Sequence, residues 1–271
     1  MKIVRVLDGS GATRHAEQNP DGTLHAIDGD IFGSFSVSTE TVSPGTLLAP
    51  VTPPNVYCIG LNYRRHAAEG GVPIPERPVV FLKATTSVQN PGDPIVLPRH
   101  ARSDEVDYEG ELVVVIGRAC SNVSAEQALD YVFGYTCGND VSARDWQLRY
   151  GGGQWSRGKN FDTFAPLGPC LVTTDEIPDP SRLSLRTVLN GDVMQECPTG
   201  DMVFAVPDLI GFLSEDTTLL PGTVIMTGTP HGVGMARTPP VFLTSGDTVS
   251  VEIDGIGVLS NPVVEVGEHT E

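Results

Sequence analysis

Within one short run, Asp104-Glu105-Val106-Asp107-Tyr108-Glu109-Gly110-Glu111-Leu112-Val113-Val114-Val115-Ile116, the chain passes from acidic to wholly apolar. Alternate strand positions face the same way, so Asp107, Glu109 and Glu111 share one side with Val113 and Val115, opposite Tyr108, Gly110, Leu112 and Val114. Both faces turn apolar from Leu112 onward, and the segment reads as a strand entering the core with its acids at the core's mouth. Clustered carboxylates there need a cation. Oxygen ligands without thiolate or imidazole suit a hard divalent ion, and Mg²⁺ typically takes a few carboxylates and leaves positions for substrate oxygens. Acid alternation by itself fits equally an edge strand carrying solvated charges.

Charge narrows the partners. With 17 Lys and Arg against 34 Asp and Glu, the formal charge is −17, which argues against nucleic acid or an anionic membrane surface. A small anionic substrate would therefore depend on local basic residues. The start, Met1-Lys2-Ile3-Val4-Arg5, becomes charged before a signal-peptide core forms, and no apolar run approaches membrane-spanning length, so the expected compartment is the cytoplasm. Five widely spaced cysteines, at 58, 120, 137, 170 and 197, contain no Cys-x-x-Cys pair and read as reduced packing residues.

Short β-like runs punctuated by 30 Gly and 22 Pro predict an α+β, β-rich architecture with few helices. The Pro-rich joint Ala49-Pro50-Val51-Thr52-Pro53-Pro54 suggests a small N-terminal β-rich domain over 1–52 and a main domain over 53–271. Helices are expected from a capping box at Ser124-Ala125-Glu126-Gln127 through Tyr131, and over Pro207–Leu213.

Three clusters carry candidate chemistry. Asp140 precedes a segment in which Arg144 and Gln147 fall on one helical face, although an Asp in that place also serves as a helix cap. Lys159 follows the glycine run Gly151-Gly152-Gly153, where a lysine drawn into a partly apolar site can meet a developing anion, or where the loop is merely a flexible surface. In Gly60-Leu61-Asn62-Tyr63-Arg64-Arg65-His66-Ala67-Ala68-Glu69, a helical turn would let Glu69 orient the His66 imidazole and raise its basicity; the same spacing also makes ordinary surface pairs. Zinc-type histidine spacing and a Gly-x-Ser-x-Gly elbow are both absent from the sequence.

Taken in order, Gly60-Leu61-Asn62-Tyr63 with His66 and Glu69, then Asp107 to Leu112, then Asn139-Asp140 with Arg144 and Gln147, then Lys159-x-Phe161-Asp162, then Thr227-Gly228-Thr229-Pro230, resemble the fumarylacetoacetate hydrolase family from about residue 55 onward. The resemblance implies a mixed β-sandwich or β-roll with short peripheral helices, assembled as a homodimer. It implies Mg²⁺ or Mn²⁺, with Ca²⁺ also accepted by such ligands, held by Glu109, Glu111 and Asp140. It implies a small anionic oxo-acid substrate contacted by Asn62, Tyr63, Arg144, Gln147 and Thr229, with His66, Glu69 and Lys159 as catalytic groups. Gln154-Trp155 and Pro239-Pro240-Val241-Phe242-Leu243 look most like the bacterial diketo sugar-acid hydrolases and the family's oxaloacetate-handling branch.

The leading expectation is hydrolytic C–C cleavage of an acylpyruvate by water activated at His66. Decarboxylation or tautomerisation of a 2-oxo diacid is the alternative, and a non-catalytic oxo-acid binder the remote one. His231, where the family often has proline or alanine, either adds a donor or a pH-dependent charge beside the pocket or faces solvent.

Overall fold

The computed structural model describes residues 1–43 and 45–265. The buried run of the sequence becomes the strand Gly110–Ile116, every residue of which is buried. Its two faces feed different apolar clusters: Leu112, Val114 and Ile116 pack into one, Val113 and Val115 into another. It therefore lies inside a layered β structure, between the antiparallel strands Val132–Asn139 and Val224–Met226.

This strand belongs to a twelve-stranded mixed sheet. From it the sheet runs one way through Val132–Asn139 and Ala165–Thr173 to the N-terminal strands. In the other direction it passes through Val224–Met226 and Val56–Gly60 to the edge strand Val79–Lys83. A five-stranded sheet packs beside it, containing the hairpin Ser184–Leu189 and Asp192–Pro198. The architecture is β-rich with few short helices, as the composition suggests.

The N-terminal strands continue the main sheet across the Pro-rich joint. Lys2–Leu7 pairs with Ala165–Thr173, placing Ile3 opposite Leu171, and both side chains are fully buried in one cluster. Residues 266–271, at the end of the main domain drawn from the sequence, lie outside the described residues.

Local differences have clear causes. The segment after Ser124 winds as a 3₁₀ helix over Ala125–Tyr131, and Ser124 makes no side-chain cap. The second expected helix spans Val206–Ser214, where the Asp208 carboxylate accepts from the Ala205 N–H and so closes the first turn. All five cysteines are buried and free. Among the described residues, no helix is long and apolar enough to cross a membrane.

If the sheet is one cooperative unit, Leu171→Ala should cost about 2–5 kcal/mol, as buried leucine truncations do. Urea unfolding followed by circular dichroism should remain a single transition shifted to lower denaturant. Two separate transitions would mean that the N-terminal strands fold independently.

Candidate active site

The acidic run breaks where the expected strand would have been continuous. Val106–Asp107 pairs with Ser142–Ala143 as a separate two-stranded ribbon, Tyr108 and Glu109 form the connection, and the core strand begins at Gly110. Asp107 is thereby turned away from the other acids, which corrects the single-face expectation. Its carboxylate accepts from Arg144 Nε at 2.9 Å and from the backbone N–H groups of Gly234 and Met235 at 2.7 and 3.0 Å.

Glu109 and Glu111 nevertheless converge with Asp140. One carboxylate oxygen of each lies within 4.8 Å of the others, and all three residues are buried. Asp140 arrives from the turn after the adjacent strand, its N–H donating to the Glu109 carbonyl at 2.9 Å. The Asn139 side chain in turn accepts from the Glu109 N–H at 2.9 Å.

Three buried cations enter this acidic cluster. Lys159 Nζ donates to Glu109 Oε2 at 2.7 Å and Asp140 Oδ2 at 2.8 Å, and Lys83 Nζ donates to Asp140 Oδ1 at 2.7 Å. Arg144 Nη1 contacts Glu109 Oε1 at 2.6 Å and donates to Gln147 Oε1 at 2.9 Å. Burial pushes the Glu109 carboxyl up, but Lys159 and Arg144 outweigh it and hold the group well below the usual carboxylate range. Burial likewise pulls Lys159 down, yet Asp140 and Glu109 leave its ammonium above its ordinary value.

Glu111 is different. Among the described residues it makes no ion pair, and its carboxylate accepts from the Gly228 N–H at 2.8 Å. Burial, then Asp140 and Glu109, drive its carboxyl well above the ordinary range. Four buried carboxylates, Asp107, Glu109, Glu111 and Asp140, thus face three buried cations, Lys83, Arg144 and Lys159. The donor set is all oxygen and short of positive charge, so the residues fit a hard divalent ion.

Above the acids opens a cavity of about 240 Å³ whose polar lining includes His66, Glu109, Arg144, Gln147, Lys159 and Thr229. His66 sits on the helix Arg64–Glu69, and its Nδ1 lies 3.2 Å from Glu69 Oε2, giving the imidazole–carboxylate pair expected from the spacing. Glu69 Oε1 also accepts from the Gly232 N–H at 2.9 Å, tying this helix to the loop after Thr229-Pro230. Burial raises the Glu69 carboxyl, but the hydrogen bonds from His66 and Gly232 leave it below its usual value, with His231 adding to that pull. His231 is half-buried, and its Nδ1 has no hydrogen-bond partner among the described residues.

Two expected substrate contacts, Asn62 and Tyr63, are not among the residues lining this cavity. Asn62 is fully buried, and its amide bonds Phe204 O, Thr227 O and Phe204 N, so both of its donors are taken by backbone. The Tyr63 ring is fully buried in the main apolar cluster. Conversely, sequence reasoning missed Lys83 and Gln195. Lys83 ends an edge strand with no motif around it. Gln195 lies on the five-stranded sheet, yet its amide accepts from the Gly110 N–H at 2.9 Å and donates to Thr229 Oγ1 at 2.8 Å. It thereby clamps the backbone between the two glutamates to a residue of the pocket.

Sheet, carboxylate triad and imidazole pair together mark the chain as an enzyme of one family. The chain belongs to the fumarylacetoacetate hydrolase family: the family model described as fumarylacetoacetate (FAA) hydrolase C-terminal matches residues 55–264. A relative named oxaloacetate tautomerase fahd2, mitochondrial, from Xenopus laevis is 52% identical over 220 residues, covering 81% of this chain and 68% of its own length. Human oxaloacetate tautomerase FAHD2A, mitochondrial, is 50% identical over the same share of this chain and 69% of its own. The crystal structure of a 5-carboxymethyl-2-hydroxymuconate delta-isomerase from Mycobacterium smegmatis superposes with a TM-score of 0.84 at 42% identity, covering 98% of this chain and all of that one.

A divalent ion should raise the thermal midpoint, because it binds the folded site and not the unfolded chain. Glu111 carries the sign of the pH dependence. Its raised folded pKa means that above the ordinary carboxylate range ionisation favours the unfolded state, and a cation binding the carboxylate reverses that cost. The Mg²⁺-induced shift in differential scanning fluorimetry should therefore grow as pH rises above the ordinary carboxylate range. Glu111→Gln should raise the metal-free midpoint, by about 2–4 °C for each kcal/mol recovered, and abolish the Mg²⁺ shift. An undiminished shift in that variant would remove Glu111 from the ligand set.

Proposed function

We propose that this protein is a keto–enol tautomerase of small 2-oxo acids, acting in the cavity between the carboxylate triad and His66. The observation that carries this reading is His66 on the cavity lining, oriented through Nδ1 by Glu69, on the same pocket as Glu109 and Lys159. Tautomerisation requires one positioned proton carrier and a cationic environment for an enolate oxygen. Hydrolytic C–C cleavage additionally requires an attacking water and bond scission. Relatives about half identical to this chain are named oxaloacetate tautomerases, and they support the proton-transfer reading over the hydrolysis expected first.

A divalent ion bound by Glu109, Glu111 and Asp140 would supply Lewis-acid polarisation of the 2-oxo group. The chain's own residues do the rest. With the Nδ1 proton directed at Glu69, His66 keeps Nε2 for exchange with the substrate. In the ketonising direction a protonated His66 gives its Nε2 proton to C3, the C2–C3 double bond shifts to C2=O, and the enol hydroxyl proton leaves to solvent, from which His66 is recharged. Lys159 stays protonated beside Asp140 and Glu109 and faces developing negative charge as a hydrogen-bond donor, not as a base. Arg144 and Gln147, bonded to each other, and Thr229, held by Gln195, present the remaining polar groups to the acid's head.

His66→Ala should lower kcat for enol decay by about a hundred- to ten-thousand-fold, the usual worth of a positioned acid–base group. The Mg²⁺-induced thermal shift should be retained. Substrate consumed in D₂O should gain deuterium at C3 with no change in carbon skeleton by NMR. Two carbon fragments or released CO₂ in step with turnover would replace tautomerisation with cleavage.

A further inference from the structure

Each carboxylate of the triad has one oxygen already fixed. Asp140 Oδ1 accepts from Lys83 Nζ at 2.7 Å, and Glu109 Oε1 is met by Arg144 Nη1 at 2.6 Å. Glu111 Oε2 accepts from the Gly228 N–H at 2.8 Å. The oxygens left over are Asp140 Oδ2, Glu109 Oε2 and Glu111 Oε1, and Lys159 Nζ reaches the first two of them.

The groups that fix these oxygens are themselves anchored. The Asp107 carboxylate lies 2.9 Å from Arg144 Nε and 2.8 Å from its Nη2. Gly228 stands at φ +100° and packs so closely on Asn62 that a Cβ would lie 2.7 Å from the Asn62 Cβ, which sets the direction of its N–H. Lys83 ends the edge strand Val79–Lys83 and donates a second bond, to the Val141 carbonyl at 3.2 Å. Its side chain is wholly buried and is absent from the cavity lining. The Asp140 main chain is held as well, its N–H donating to the Glu109 carbonyl and its carbonyl accepting from Ser142 Oγ at 2.8 Å. The carboxylate is therefore not free to turn both oxygens toward one point.

Lys83 exceeds what neutralisation requires. Lys159 already supplies Asp140 with one buried cation, and burying a second ammonium against the same carboxylate carries a further desolvation cost. What the second lysine adds is direction, because it takes one oxygen and leaves the other. We propose that Lys83 is a positioning residue that makes Asp140 a one-oxygen ligand and thereby tunes the triad to a small octahedral ion, Mg²⁺, over Ca²⁺. The proposal rests on the triad holding a divalent ion. Mg²⁺ demands a near-ideal octahedral array, and one-oxygen carboxylates leave its other positions to water and substrate. Ca²⁺ gains from a larger oxygen shell and commonly takes both oxygens of a carboxylate. With Asp140 Oδ1, Glu109 Oε1 and Glu111 Oε2 all engaged, that extra coordination is denied.

The test is isothermal calorimetry of Mg²⁺ and of Ca²⁺ into the chelator-treated full chain, counting only the heat that Glu111→Gln abolishes. The wild type should bind Mg²⁺ the more tightly. Lys83→Met keeps a long stem and frees Asp140 Oδ1, and should shift the ratio of the two affinities toward Ca²⁺ by about tenfold or more, the usual scale for a group that orients a metal ligand. The ratio decides, because loss of one positive charge, or a merely structural loosening, acts alike on two ions of equal charge. Parallel changes in both affinities, or wild-type Ca²⁺ binding as tight as that of Mg²⁺, overturn the proposal, and the wild-type order decides it even if Lys83→Met folds poorly. If neither ion binds the wild type, the metal reading of the triad falls and the proposal with it; both ions bound at an unmoved ratio remove the role of Lys83 alone.

Discussion

A buried charge imbalance at one end of the strand Gly110–Ile116 organises the site. Taking four carboxylates out of water is tolerable only because Lys83, Arg144 and Lys159 are buried among them. The pairing is incomplete. Glu111 is left with a backbone N–H in place of a counter-ion, a deficit that a divalent cation would offset.

The surrounding architecture keeps that cluster from relaxing. Glycine at 110 lets the hairpin of the second sheet approach so closely that a Cβ there would meet Thr187 Oγ1, and Gln195 then bonds the Gly110 N–H directly. Asp107 performs the matching task on the other side. It orients Arg144 while accepting from Gly234 and Met235, so the guanidinium and the loop that lines the cavity share one anchor. Glu69 adds a third tie, from the imidazole to Gly232 of the same loop. Arg144, the His66–Glu69 pair and the loop at 232–235 are therefore mechanically connected.

Much of this was legible before the fold was known, for specific reasons. Three-residue spacing paired His66 with Glu69 and Arg144 with Gln147, because such contacts depend on local geometry alone, and Glu109 stays beside Glu111 although it lies just outside the strand. Asp107 was misread because periodicity assumes an unbroken strand, and a break at Tyr108–Glu109 is set by pairing with Ser142–Ala143, a tertiary event. Lys83 and Gln195 escaped for a related reason. Each reaches the site from a different strand, and nothing beside them in the chain marks them as different from a surface lysine or glutamine. Asn62 sits in a motif, and its amide ties the backbone at Phe204 to that at Thr227, a tertiary contact that the motif alone does not reveal.

The account stands or falls on one cation held by side chains from two segments of the chain. Anomalous diffraction from crystals soaked in Mn²⁺ measures this directly. The structure predicts one strong peak among the carboxylates of Glu109, Glu111 and Asp140, at about 2.1 Å from one oxygen of each. No peak there, or occupancy only at surface acids, would contradict it.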